Sequence, residues 1–184
     1  DDVFPSITIQ PKQSQREFFE KVQGLNPCLV FYKAMIGEGK TSSVVTLLSH
    51  LFQYNRGKPA SQHKKLIFCC SVEPVRHQVG FMAYHGGYKF GIASTTDKGV
   101  RIVNHFSTSD ENRLLVLADL EATYDLLTKD LTGQYVLFMD EPTVCADQKN
   151  HPVTALVGRI LDTCPANTIL SSATLPDTAA LGPL

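Results

Sequence analysis

The chain has 184 residues, 43% of them apolar, enough for one well-buried domain and too few for two sizeable ones. Seventeen Lys and Arg against eighteen Asp and Glu leave a formal charge of −1, which excludes a global basic field, so any nucleic-acid surface must be local. Five cysteines, odd in number and without C-x-x-C spacing, exclude a disulfide framework and fit reduced thiols in an intracellular compartment, cytoplasm or nucleus.

No apolar run approaches the roughly 18 residues of a membrane span, so no membrane partner is expected. The opening Asp1-Asp2-Val3 has neither a basic end nor an initiator methionine, as expected of a domain excised from a soluble protein. Ser14 and Glu17 form a capping box for an amphipathic helix to about Gln23, which Gly24 ends. Cys28 to Lys33 is a continuous apolar run of strand length, predicted to be covered on both faces. A glycine-bearing loop follows, then a helix that turns Val44, Val45, Leu47, Leu48 and Leu51 inward. The basic run Arg56 to Lys65 reads as a solvated surface loop. Lys65 to Cys70 is a second buried strand, and Pro74 opens a helix to about Tyr84. The middle is less regular, with a turn at His85-Gly86-Gly87 and short β-like runs at Lys89–Ala93 and Val100–Val103. Leu114 to Ala118 is a strand, and Asp119 caps a helix to about Leu131, closed by Gly133 before the strand Tyr135–Met139. A helix around Val153–Leu161 and a strand at Thr168–Ser171 complete the series. Alternating strands and helices predict an α/β domain spanning 1–184, a largely parallel sheet with helices on both faces and its ligand crevice at the strands' carboxyl ends.

Three motifs carry chemistry. Ala34 to Thr41, A-M-I-G-E-G-K-T, is the phosphate-binding pattern G-x-x-x-x-G-K-[ST] with alanine at its first position. Gly37 and Gly39 let successive N–H groups turn inward, and with Ala34, Glu38 and Ser42 they complete the candidate cradle at a helix start. Lys40 would reach the β- and γ-phosphates of ATP, and the Thr41 hydroxyl would ligate Mg2+. The second motif, V-L-F-M-D-E-P-T, ends an apolar strand in two carboxylates, where charge needs a reason. Asp140 would hold the metal, and Glu141 would orient the attacking water. The third, I-L-S-S-A-T-L-P, breaks a strand into small hydroxyl residues able to bond a neighbouring carboxylate. Cys145, His151 and Cys164 lack zinc-site spacing and are not taken as ligands. The aromatics of Tyr84-His85-Gly86-Gly87-Tyr88 read as loop anchors rather than base-stacking groups.

In this order, A-x-x-G-x-G-K-T, D-E-P-T and S-A-T-L-P resemble the first, RecA-like motor domain of superfamily-two helicases, the DEAD-box and DExH-like class. Ala34 is the residue that family usually has there. The resemblance implies that Ser172-Ala173-Thr174 couple hydrolysis to strand movement and that Gln15, in P-x-x-x-Q from Pro11, reads the adenine edge, with residues 1–25 as an adenine-side flank and Phe4 near the base. It places Arg76 and Gln78 of S-V-E-P-V-R-H-Q, and Ala118 and Asp119, against a sugar-phosphate backbone. D-E-P-T decides neither RNA nor DNA, and RNA is slightly favoured. The expected activity is an ATP-dependent helicase or translocase, here a monomer, weakly active without the second RecA-like domain expected beyond Leu184. Two alternatives stand beside it: another P-loop kinase or transferase, which gives no reason for S-A-T-L-P, and a degenerate P-loop interaction module.

Overall fold

Among the described residues seven strands form one sheet. The structure is a computed structural model that describes residues 28–33, 40–106, 108–142, 148 and 150–172. The strands are β1 (Cys28–Lys33), β2 (Lys65–Cys69), β3 (Phe90–Thr96), β4 (Gly99–Asn104), β5 (Leu115–Ala118), β6 (Tyr135–Asp140) and β7 (Asn167–Ser172). The helices among the described residues are α1 (Lys40–Asn55), α2 (Glu73–His85), α3 (Leu120–Thr128) and α4 (Pro152–Asp162), with a short 3-10 turn at Ala60–Gln62. In the sheet order β1-β7-β6-β2-β5-β3-β4, all neighbouring strands run parallel except β3 and β4.

The strand period of two divides the core. Leu66 and Phe68 of β2 face one cluster with Leu47, Leu48 and Leu51 of α1 and Val79 and Ala83 of α2. Ile67 and Cys69 face the other, with Ala122 and Leu127 of α3 and Val157 and Ile160 of α4. Helices therefore cover both faces of a largely parallel sheet, as predicted. Close approach of α2 to β5 requires Gly80, since a Cβ there would lie 2.7 Å from Leu117 Cδ1.

Four local expectations change. Among the described strands β1 lies at one edge of the sheet, and it alternates rather than being buried throughout. Val30 and Tyr32 are buried while Leu29 and Phe31 are 51% and 43% exposed on the other face. α3 stops at Thr128 instead of Leu131. The Asp130 carboxylate accepts from the backbone N–H groups of Gln134 and Tyr135 at 3.1 and 3.2 Å, drawing the chain off the helix axis into β6, and Leu131 is left 94% exposed. The irregular middle is an antiparallel hairpin, its turn fastened by Thr96 Oγ1 donating to Gly99 O at 2.6 Å. Ser94, Thr95 and Thr96 are exposed, so this edge shows no apolar period. His151, given no role in the sequence beyond its exclusion as a metal ligand, caps α4 by accepting from Val153 N at 3.1 Å.

Candidate functional site

Parallel pairing brings the predicted motif strands side by side. Lys33 at the end of β1 is in register with Ser172 at the end of β7, and Ser171 is in register with Asp140 at the end of β6. The apolar bodies of these strands put their polar ends at one edge of the sheet, because Val136 to Met139 and Ile169 are almost wholly buried.

Two hydrogen bonds hold Glu141 there. Its backbone N–H donates to Ser171 O at 2.7 Å, extending the ladder one residue beyond the strand. Its φ of +52° lies in the left-handed region that non-glycine residues rarely adopt, a cost that recurs at functional sites. The Ser172 hydroxyl donates to Glu141 Oε2 at 2.8 Å. The first residue of S-A-T thus touches the second carboxylate of D-E-P-T, 31 residues away in sequence. Asp140, half-buried, accepts a weak 3.9 Å contact on Oδ2 from the Cys70 thiol at the end of β2. Burial first, and then the negative charge of Asp140, push that thiol up from its ordinary range. Sequence reasoning missed Cys70; its only signal was its place at a buried strand's carboxyl end.

The helix that follows the glycine loop begins at Lys40, with Thr41 and Ser42 half-buried in its first turn. Tyr32 Oη and Ser43 Oγ lie 3.1 Å apart and tie this turn to β1. The first turn of this 16-residue helix, and with it the positive end of the helix dipole, therefore lies beside the carboxyl end of β1. Gln15, Ala34, Gly37, Glu38, Gly39, Ala173 and Thr174 lie outside the described residues.

The same edge continues past β6. Arg76 Nη1 donates to Cys70 O at 2.6 Å, holding α2 against the end of β2. Asp119 caps α3 as predicted, accepting from Ala122 N at 2.9 Å. Ala118 is fully buried, and its carbonyl accepts from Cys70 N at 3.1 Å. Gln78 is exposed on α2. Arg76 and Asp119 therefore sit at the ends of β2 and β5, next along the edge from Asp140, with their side chains already engaged in holding helices. Among the described residues no group of three His, Cys, Asp or Glu side chains forms a metal cluster. No described helix is long and apolar enough to cross a membrane.

No protein-family model matches the chain, and no curated protein matches it in sequence. Solved structures do match in fold. A Dbp5 variant from S. cerevisiae, bound to RNA and ADP BeF3, is 15% identical over 94% of this chain and 43% of its own, with a TM-score of 0.60. The DEAD-box helicase Mss116, bound to single-stranded RNA and UDP-BeF, is 16% identical over 93% of this chain and 37% of its own, with a TM-score of 0.61. A Sulfolobus solfataricus SWI2/SNF2 ATPase core in complex with double-stranded DNA is 16% identical over 91% of this chain and 32% of its own, with a TM-score of 0.52. The chain spans less than half the length of these proteins, and its fold is that of their RecA-like domains.

Proposed function

We propose that this chain is an ATP-binding, ATP-hydrolysing motor domain of a nucleic-acid helicase or translocase, with RNA favoured over DNA as its track. The observation that carries the reading is the Ser172–Glu141 hydrogen bond at the meeting of three parallel strand ends. A nucleotide kinase or an inert P-loop module gives no reason for a strained glutamate at that place to be held by the serine of S-A-T.

In this reading the backbone of 34–40 and the Lys40 ammonium bind the phosphates, and Gln15 selects adenine. Thr41 and Asp140 offer a hydroxyl and a carboxylate, the hard oxygen donors that suit Mg2+, so these residues fit the ion. Bound with ATP, Mg2+ would neutralise charge developing on the transferred phosphoryl group. Glu141 orients the attacking water and accepts from it. Ser172 fixes the carboxylate's rotamer, so that movement of β7's end, through Ala173 and Thr174, is felt at the water-orienting group. A single strand would follow the edge where Arg76 and Asp119 sit, with exposed Gln78 of α2 as a further contact, while fully buried Ala118 would support Asp119 from beneath. A second RecA-like domain in the same protein would complete both the ATPase site and the strand groove, so the isolated domain hydrolyses ATP weakly, as a monomer. Free Cys28, Cys69, Cys70 and Cys164 suit an intracellular setting.

The test is ATP affinity of the wild type and of Lys40→Ala. A loss of tenfold or more supports the phosphate cradle, and equal affinity overturns it.

A further inference from the structure

Opposite the strand carboxyl ends, where β2 and β5 begin, the surface holds a cavity of about 510 Å³ between the end of α1 and the loops leading into those two strands. A volume of that size suits a small ligand. Arg56, Lys58, Lys65 and Arg113 line it against one carboxylate, Glu111. In a chain of formal charge −1 this concentration is not a consequence of composition. Asp110 neutralises Arg113 at 2.6 Å. Lys58 and Lys65 instead donate to main-chain carbonyls, of Tyr54 and Asp110, and among the described residues no carboxylate pairs with either. Arg113 is 6% exposed and its Nε has no hydrogen-bond partner among the described residues. Four cations thus face two carboxylates, Asp110 and Glu111, whose charges also act on Lys65, and the cavity keeps an excess of positive charge.

The basic run that supplies Arg56 and Lys58 is built rather than merely solvated. Asn55, 9% exposed, donates from Nδ2 to Lys64 O at 2.8 Å and accepts from Lys64 N at 2.7 Å, closing the loop at its base. His63 Nε2 lies 2.7 Å from Lys58 O across the loop. Gly57, at φ +77°, makes the first bend in a conformation side chains resist. Phe52 stands on one wall, 58% exposed, and is held edge-on by Tyr88 with ring centroids 6.3 Å apart. It also lines an adjoining cavity of about 300 Å³, so the two spaces share an aromatic wall.

We propose that this cavity is a second binding site, for a phosphate joined to a planar base, supplied either by a free mononucleotide or by one nucleotide of a single strand. The cations take the phosphate, and Phe52 takes the face of the base. An acidic peptide would satisfy the cations but leave Phe52 without a partner. The proposal is independent of the ATP-site reading, since it uses the other edge of the sheet.

The experiment titrates uridine 5′-monophosphate and a fluorescein-labelled hexauridylate against the chain carrying Lys40→Ala, and against that chain with Arg56→Gln and Lys58→Gln or with Phe52→Ala added. All three added substitutions fall at exposed or half-exposed positions, and circular dichroism checks that each variant is folded. We expect saturable binding, a loss of at least tenfold with the paired charge removal, and about fivefold or more with Phe52→Ala. The slope of log affinity against log salt should flatten when the two charges go. Displacement of the hexauridylate by the monophosphate identifies a free nucleotide as sufficient. Hexauridylate binding without such displacement identifies the strand as the source. No saturable binding, a loss under threefold in both variants, or inorganic phosphate competing as well as the monophosphate overturns the proposal.

Discussion

The two edges lie at opposite ends of one sheet and differ in how their polar groups are supplied. At the carboxyl edge, Asp140, Glu141, Ser171 and Ser172 are the terminal residues of strands or their immediate neighbours, so parallel pairing alone brings them together. At the amino edge, Arg56, Lys58, Lys65 and Arg113 come from a helix end, a loop and two strand approaches, held by Asn55 and Asp110. The carboxyl edge gathers acids and hydroxyls, donors for a metal and a water. The amino edge gathers cations. A parallel sheet can therefore present opposite chemistries at its two ends, and substitutions should separate them.

The largest separation should come from Glu141→Gln. General acid–base groups contribute about 10²–10⁴-fold, so phosphate release should fall to the background of ATP in buffer, while ATP affinity stays within about threefold. Amino-edge binding of the monophosphate should not change. Glu141→Gln turning over at the wild-type rate would remove the water-orienting role. Next is Phe138→Ala, at a residue the two edges share. Phe138 is fully buried and packs on Phe68 with ring centroids 5.6 Å apart, and such truncations cost about 3–5 kcal/mol. Denaturant unfolding should show that loss, and both edges should fail together. If only one fails, the sheet is not the common support.

Asn55→Ala should act on the amino edge alone. It removes two hydrogen bonds to Lys64 and leaves that residue's carbonyl and N–H without them, a cost of about 1–3 kcal/mol. Monophosphate affinity should fall severalfold as the loop loosens, with ATP affinity unchanged. A matching loss of ATP affinity would show that the edges are coupled through α1, whose first turn lies at one edge and whose last turn lies at the other.

This contrast also explains what was legible in the sequence. The carboxyl edge could be read because each motif is a short run whose strand carries its last residues to the same place. Asp140 and Glu141 needed only the apolar run before them. Their pairing with Ser172 was suggested by motif order, but the specific bond from Ser172 to Glu141 needed the β6–β7 register. Cys70 beside Asp140 carried no signal, because a thiol ending a buried strand looks like core. The hairpin of β3 and β4 was half-visible, since its exposed threonines and serine do not alternate with apolar residues. The end of α3 was misread because Leu131 continues the helical apolar pattern, whereas the competing pull of Asp130 on Gln134 and Tyr135 depends on a turn. The amino-edge cavity was the least legible. Its basic run looked like a solvated loop, and nothing local tells that Asn55 will close it or that Arg113 will join it from 48 residues beyond Lys65.

The smallest effect expected, from Asp110→Asn, asks how much of the amino edge's order is electrostatic. Hydrogen bonds from Asn104 and Arg113, and then the Arg113 charge, hold the Asp110 carboxyl below its ordinary range. A depressed folded-state pKa contributes stability that is present above the unfolded value and lost as pH falls through the folded one. The wild-type advantage over Asp110→Asn should therefore be complete at pH 6 and shrink as pH drops from about 4 through the lower folded value. Because the Asp110 side chain is 79% exposed, solvent screening limits that advantage to a few tenths of a kcal/mol and at most about 1 kcal/mol. Denaturant midpoints of both proteins between pH 6 and pH 3 measure it. A difference that stays constant across that range would mean that Asp110 orders Arg113 by shape rather than by charge.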